Sequence, residues 1–200
     1  MSNPVQPQPP LGQAGTPSPS NGPQGLRGGA PPPAPFSVLQ AKLQAWLVTL
    51  LTVVVEAYDL GAVLGQGARV VSNRQMLTPD VVFVPNRDRT KVKPDAIQCA
   101  PALAIDVLSS RVSEADKKAL RECYAASGVL EYWQIDADRA AAHIYQADAH
   151  GRYDLIPPDG RGLHYSNAIV ELAFPVEWFK TQPRLLTVMQ WWGLIEDEDE

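Results

Sequence analysis

Cysteine and histidine are scarce. The 200 residues hold two cysteines, Cys99 and Cys123, and three histidines, His143, His150 and His164. Two widely spaced thiols exclude a disulfide framework and a cysteine-rich zinc module. The histidines form no ligand pair at helical spacing, and a reducing, cytoplasmic setting is the expectation. Long hydrophobic runs are lacking too. The most apolar stretch lies between Lys42 and Glu56 and holds thirteen residues, short of the ~20 needed to cross a bilayer, so no membrane association is expected. Residues 1–35 have neither the basic start nor the apolar stretch of a signal peptide. Nothing repeats at a fixed period. A charge excess of one sign is missing from all but the last residues: the formal charge is −5, and residues 196–200 are all acidic. The rest is near neutral, so no global basic field announces nucleic-acid binding, and only a local basic patch stays open.

What is present is unevenly distributed. Eleven of the 19 prolines and six of the 14 glycines fall in residues 1–35, with Arg27 as the single charge. Such a segment cannot bury enough apolar surface to offset chain entropy. The expected organisation is a disordered tail over 1–35, one folded domain over 36–195 and an acidic tail over 196–200.

Within the domain, residues 37–57 read as a helix. Lys42, Thr49, Thr52 and Glu56 form one narrow polar stripe at helical period, and Leu39, Leu43, Trp46, Leu47, Leu50, Leu51 and Val54 fill the remaining surface. Such a helix must be buried on most sides, against a sheet or a partner chain. Strands are expected near 61–64, 68–72, 81–84, 103–108, 129–136, 142–146 and 153–156, with a loop over 86–98. A second helix starts at Ser113, where Asp116 three residues on resembles a capping box, and stops at Gly128. Residues 163–193, with Trp178, Phe179, Trp191 and Trp192, read as a covering segment. Together these give an α/β or α+β fold, a mixed sheet flanked by helices.

A carboxylate inside an apolar strand is expensive unless it pairs, protonates or binds a cation. Asp106 is such a residue, in Ala104-Ile105-Asp106-Val107-Leu108. Asp80 lies at the mouth of the preceding strand. If the strands at 81–84 and 103–108 are antiparallel neighbours, Asp80 comes close to the level of Asp106, and the two make an oxygen-rich pocket for Mg²⁺. Two plainer readings stand beside this one. Asp80 is a turn residue or a strand cap, and Asp106 is paired with a core-edge arginine or lysine. Whether the carboxylates share a face depends on register. Arg87, Arg89, Lys91 and Lys93 form a basic loop that is either a phosphate contact or plain solvated surface. Tyr132 and Trp133 are expected one inside and one outside.

The order Pro79-Asp80-Val81-Val82, then Ala100-Pro101-Ala102-Leu103-Ala104-Ile105-Asp106-Val107-Leu108-Ser109, then Asp116, Tyr124, Gly128-Val129, Glu131-Tyr132-Trp133 and Asp136 resembles the Uma-type restriction endonuclease family of the PD-(D/E)XK nuclease superfamily. The likeness runs over about residues 37–180. It implies a restriction-endonuclease-like core and Mg²⁺- or Mn²⁺-dependent hydrolysis of DNA. By resemblance, Asp80 and Asp106 are the metal ligands, and the Val107 carbonyl is a further candidate. The chain departs from the family pattern in three places. Where the family has a lysine four residues before the tyrosine, this chain has Leu120. Lys117 is the substitute, because Lys117, Leu120 and Tyr124 fall at i, i+3 and i+7 on one helix face. The strand glutamate of the family is the shorter Asp106. The acidic segment that commonly precedes the first helix is replaced by the proline-rich stretch. The expected function is a metal-dependent endonuclease acting on DNA with Asp80, Asp106 and Lys117. The alternatives are a degenerate member that binds nucleic acid or protein without cleaving, and a dimerisation module built on the apolar first helix, so a homodimer is considered.

Overall fold

The computed structural model describes residues 37–196. The expected tail over 1–35 and most of the expected acidic tail lie outside the described residues.

Helix α1 (Val38–Ala57) begins at Ser37. The Ser37 hydroxyl accepts from the Gln40 N–H while the Gln40 side chain accepts from the Ser37 N–H, a complete capping box. Of the expected polar stripe, Lys42, Thr49 and Glu56 face solvent and Thr52 is half-buried, while Leu43, Leu47, Leu50, Leu51, Val54 and Val55 are buried. Among the described residues α1 is the one helix long and apolar enough to span a bilayer by length and composition. Here its apolar side packs on the sheet of its own chain.

Four strands follow: β1 (Gly61–Leu64), β2 (Val70–Ser72), β3 (Gln75–Leu77) and β4 (Val81–Pro85). After β4 the basic loop folds as a 3₁₀ turn, Asn86–Lys91. Then come β5 (Leu103–Leu108), helix α2 (Glu114–Ser127), β6 (Glu131–Asp136), β7 (Ala141–Ala147) and β8 (Tyr153–Leu155). The main sheet has the order β1-β4-β5-β6-β7-β8. Only the β5–β6 pair is parallel, with α2 as its crossover. The covering segment is a hairpin, β9 (Leu163–Tyr165) with β10 (Ala173–Pro175), followed by short helices α3 (Trp178–Thr181) and α4 (Leu185–Trp191).

Strand alternation divides the core into two layers. Val81, Phe83, Leu103, Ile105, Val107, Trp133 and Ile135 pack toward α1, α3 and α4. Val82, Val84, Ala104 and Tyr132 pack toward Tyr124 and Val129 on the α2 side. Both faces are covered. Tyr132 and Trp133 therefore point to opposite faces and are both fully buried, a correction to the expectation of one inside and one outside.

Helix α2 starts as read, but its box is only half made. The Ser113 hydroxyl accepts from the Asp116 N–H at 3.1 Å and donates to the Asp116 carboxylate at 2.7 Å. The stop at Gly128 has a left-handed backbone, φ +83°, which glycine adopts at least cost.

Candidate functional site

The site begins with the β4–β5 ladder. Val81 faces Ile105, Val82 faces Ala104 and Phe83 faces Leu103. One further step along this antiparallel register sets Asp80 across from Asp106. The Asp80 N–H donates to the Ile105 carbonyl at 2.9 Å, and Asp80 Oδ2 accepts the Val107 N–H at 2.7 Å. Strand β4 ends here while β5 runs on beside β6, so β5 would otherwise leave the Val107 peptide groups unpaired on this edge. Asp80 takes the N–H. Gln40 of α1 donates to the Val107 carbonyl at 2.9 Å. The strand-cap reading of Asp80 is thus realised through one of its two oxygens. The Val107 carbonyl, expected as a further metal candidate, already accepts from Gln40.

Asp106 points to the α2 side and is 6% exposed. Its partners are not cationic. Tyr124 donates to Oδ1 at 3.0 Å and Tyr132 to Oδ2 at 2.8 Å, and the two rings stack with centroids 4.2 Å apart. The expected arginine or lysine partner is replaced by this pair of phenols. Burial first, and the negative charge of Asp80 second, push the Asp106 carboxyl up to about 7 against the pull of the two tyrosine hydrogen bonds. Burial also raises Asp80, opposed by the Val107 N–H and by the Gln44 side chain.

The register continues across the sheet. Asp106 faces Gln134 of β6, and Gln134 faces His143 of β7. Gln134 Nε2 donates to the Lys117 carbonyl at 2.6 Å, which holds the first turn of α2 over the Asp106 row. The Lys117 side chain is 11% exposed, and its ammonium lies 2.8 Å from Glu114. The structure therefore brings Asp80 and Asp106 together at the strand ends and sets the Lys117 backbone above the same row, with the Lys117 charge held on Glu114.

Asp80 opens on the α1 side, into a cleft of about 450 Å³ lined by Ala41, Gln44, Ala45, Val48, Thr49, Gln66 and Asp80 itself. Oxygen donors suit a hard cation, and Mg²⁺ commonly takes one or two carboxylates and keeps its waters. Asp80 Oδ1 makes no hydrogen bond among the described residues, and each Asp106 oxygen retains acceptor capacity beyond its tyrosine. The pair fits such an ion. No cluster of three or more histidine, cysteine, aspartate or glutamate side chains occurs among the described residues, so these two carboxylates would be the acidic ligands.

The basic loop does not join this site. Arg87, Arg89 and Lys91 follow the far end of β4, five residues from Asp80, or roughly 17 Å along a strand. Asp88 pairs with both Arg87 and Lys91.

A second buried acid was not singled out as a site from sequence. Glu131 is 0% exposed, at the start of β6. Its Oε1 meets Trp133 Nε1 at 2.6 Å and His164 Nε2 at 3.0 Å. Its Oε2 accepts from Ser166 Oγ at 3.0 Å and from the Asn167 and Ala168 N–H groups at 2.7 and 3.1 Å. Burial would raise this carboxyl, but the hydrogen bonds from His164, Trp133 and Ala168 outweigh it and hold Glu131 below the usual glutamate range. Apart from Trp133 and a long 3.4 Å contact from Gln146 of β7, the donors lie on the covering segment. Glu131 therefore fastens residues 164–168 to the sheet, on the face opposite Asp106 and three registers away. Its sequence signal is the Glu131-Tyr132-Trp133 run, which carries the family likeness but says nothing of the partners.

Comparison with known proteins agrees with this architecture. The sequence pattern of the Uma2 family, described as "Putative restriction endonuclease", matches residues 30–178. Among solved structures, a "putative nuclease belonging to DUF820" from Anabaena variabilis ATCC 29413 superposes with a TM-score of 0.59 at 16% identity, over 72% of this chain and 82% of that one. At that identity the likeness is one of fold. The search of curated proteins returned no match.

Proposed function

This chain belongs to the Uma2 restriction endonuclease family, and from that premise we propose that it is a metal-dependent endonuclease hydrolysing DNA phosphodiester bonds. The observation that carries the reading is the β4–β5 register, which supports a shared cation site for Asp80 and Asp106. Asp80 would hold Mg²⁺ or Mn²⁺ through Oδ1, with Oδ2 kept on the Val107 N–H, and Asp106 would hold it through its ionised carboxylate. The bound cation would polarise the scissile phosphate and lower the pKa of an attacking water. The tyrosines fix the Asp106 carboxylate in one orientation, which matters because aligned chemistry tolerates little displacement. Lys117 is the cation closest in role to the missing family lysine. Released from Glu114, its flexible ammonium would orient the water and stabilise developing negative charge.

A second reading rests on a specific observation. Both Asp106 oxygens already accept tyrosine hydroxyls, Lys117 is paired with Glu114, and Leu120 stands where the family has lysine. This favours a degenerate member that binds nucleic acid or protein without cutting. Supercoiled DNA incubated with Mg²⁺ or Mn²⁺ separates the two. The enzyme nicks it, Asp80→Ala abolishes nicking, and Lys117→Ala lowers the rate by about 10²-fold or more. DNA binding without nicking by the native chain, with cutting created by Leu120→Lys, would assign the degenerate reading.

A further inference from the structure

Helix α1 carries one polar residue on its buried face. Gln44 is 7% exposed, beside Leu43 and Leu47. Its Nε2 is buried and makes no hydrogen bond. An unpaired buried amide is a standing cost, and native structures rarely keep one without a reason. A leucine at this position would continue the apolar pattern of the helix.

The orientation of the amide supplies the reason. Gln44 lines the same cleft as Asp80, and its side chain lies near enough to the Asp80 carboxylate to favour the ionised form, while Nε2 stays outside hydrogen-bond geometry with it. One turn earlier on the same helix, Gln40 donates to the Val107 carbonyl. Two glutamines four residues apart thus reach from α1 to the end of β5. One is satisfied by the strand edge, and the other faces the carboxylate at the mouth of the cleft. On the α1 side the cleft is lined mostly by small side chains, Ala41, Ala45 and Thr49, with Val48 beside them.

We propose that Gln44 is a positioning residue for the cation site: its Nε2–H group donates to an oxygen of the hydration shell of a divalent ion held at Asp80. The inference rests on the cation site described above and adds to it a neutral donor from α1, in a chain whose first helix contributes no acid there. The amide is unpartnered because its partner arrives with the ion. Outer-shell hydrogen bonds of this kind typically change metal affinity 10–100-fold when removed.

Manganese binding by the full-length protein at pH 8, followed by calorimetry and by the Mn²⁺ electron paramagnetic resonance signal, tests this against thermal unfolding of the metal-free protein. Gln44→Leu is expected to weaken Mn²⁺ binding at least tenfold while leaving the metal-free melting temperature equal or higher. Gln44→Asn keeps the donor on a shorter arm and is expected to fall between the two. A structural glutamine gives the opposite pattern. Unchanged Mn²⁺ affinity in Gln44→Leu, or weaker binding accompanied by a fall in the metal-free melting temperature, overturns the inference and leaves the two-aspartate site standing. Absence of Mn²⁺ binding in the native protein overturns both.

Discussion

Asp106→Asn is expected to stabilise the metal-free protein at pH 8 while removing cation binding and cleavage. The sign follows from the direction of the shift. The Asp106 carboxyl is raised from 3.8 to about 7 in the folded chain, so the fold favours its protonated form. That contribution is fully present below pH 3.8 and is lost as pH rises through about 7. At pH 8 the folded chain carries a buried negative charge beside Asp80 that the unfolded chain would hold in water. Asparagine has the same shape and no charge. Its carbonyl accepts one tyrosine hydroxyl and its NH₂ group donates to the other. The gain is on the order of 3 kcal/mol, or roughly 6–12 °C in Tm for a chain of this size. Thermal unfolding of both proteins at pH 5 and pH 8 checks it: the two curves should converge at low pH and separate at high pH. An Asp106→Asn protein that is less stable than the native chain at pH 8 would mean that the carboxylate is a structural anchor.

Glu131→Ala is expected to have the opposite effect, a loss of about 3–5 kcal/mol. A small domain has about 5–15 kcal/mol in total, so this one change consumes a large share of the margin. The substitution leaves the donors of Trp133, Ser166, Asn167 and Ala168 facing an empty space in the core. Each stranded donor costs desolvation without return. The urea midpoint should fall steeply, with residues 164–168 becoming susceptible to protease before the rest. The pH dependence differs from that of Asp106. A carboxyl held below its usual pKa stabilises the fold above that usual value, 4.5 here, and the contribution is lost as pH falls through the depressed one. Acid below about pH 4.5 should therefore weaken the attachment of this segment, while alkali above about 7 charges Asp106. Stability is expected to peak between them. A Glu131→Ala protein within 1 kcal/mol of the native chain would show that the hairpin β9–β10 is held by its apolar contacts alone.

Periodicity made much of this fold legible. The stripe at Lys42, Thr49 and Glu56 located the outer face of α1, and β1 and β5 have the bounds expected of them. The apolar run around Asp106 folds as an inner strand of the sheet, β5, covered on both faces. Hydropathy does not resolve the fate of single polar groups. Gln44 reads as an ordinary helix former, and only the packed structure shows it turned inward. Strand β3 was missed for a backbone reason. The β2–β3 hairpin turns at Asn73 and Arg74, with φ +46° and +64°, and such turns usually announce themselves by a glycine that is absent here. The Glu131 partners on the covering segment lie 33 to 37 residues away, and no local pattern encodes them. The level of Asp80 against Asp106 followed from strand order. The tyrosine pair that occupies Asp106 could not, since it depends on α2 crossing above β5 and β6.

The reading of the strand ends as a cation site is tested most directly by calorimetric titration of the metal-free protein with Mn²⁺ at pH 8. One ion per chain is expected, with no heat of association for Asp80→Asn and much weaker binding at pH 5, where Asp106 holds its proton. Equal binding by native and Asp80→Asn proteins, or none by the native chain, would contradict the account.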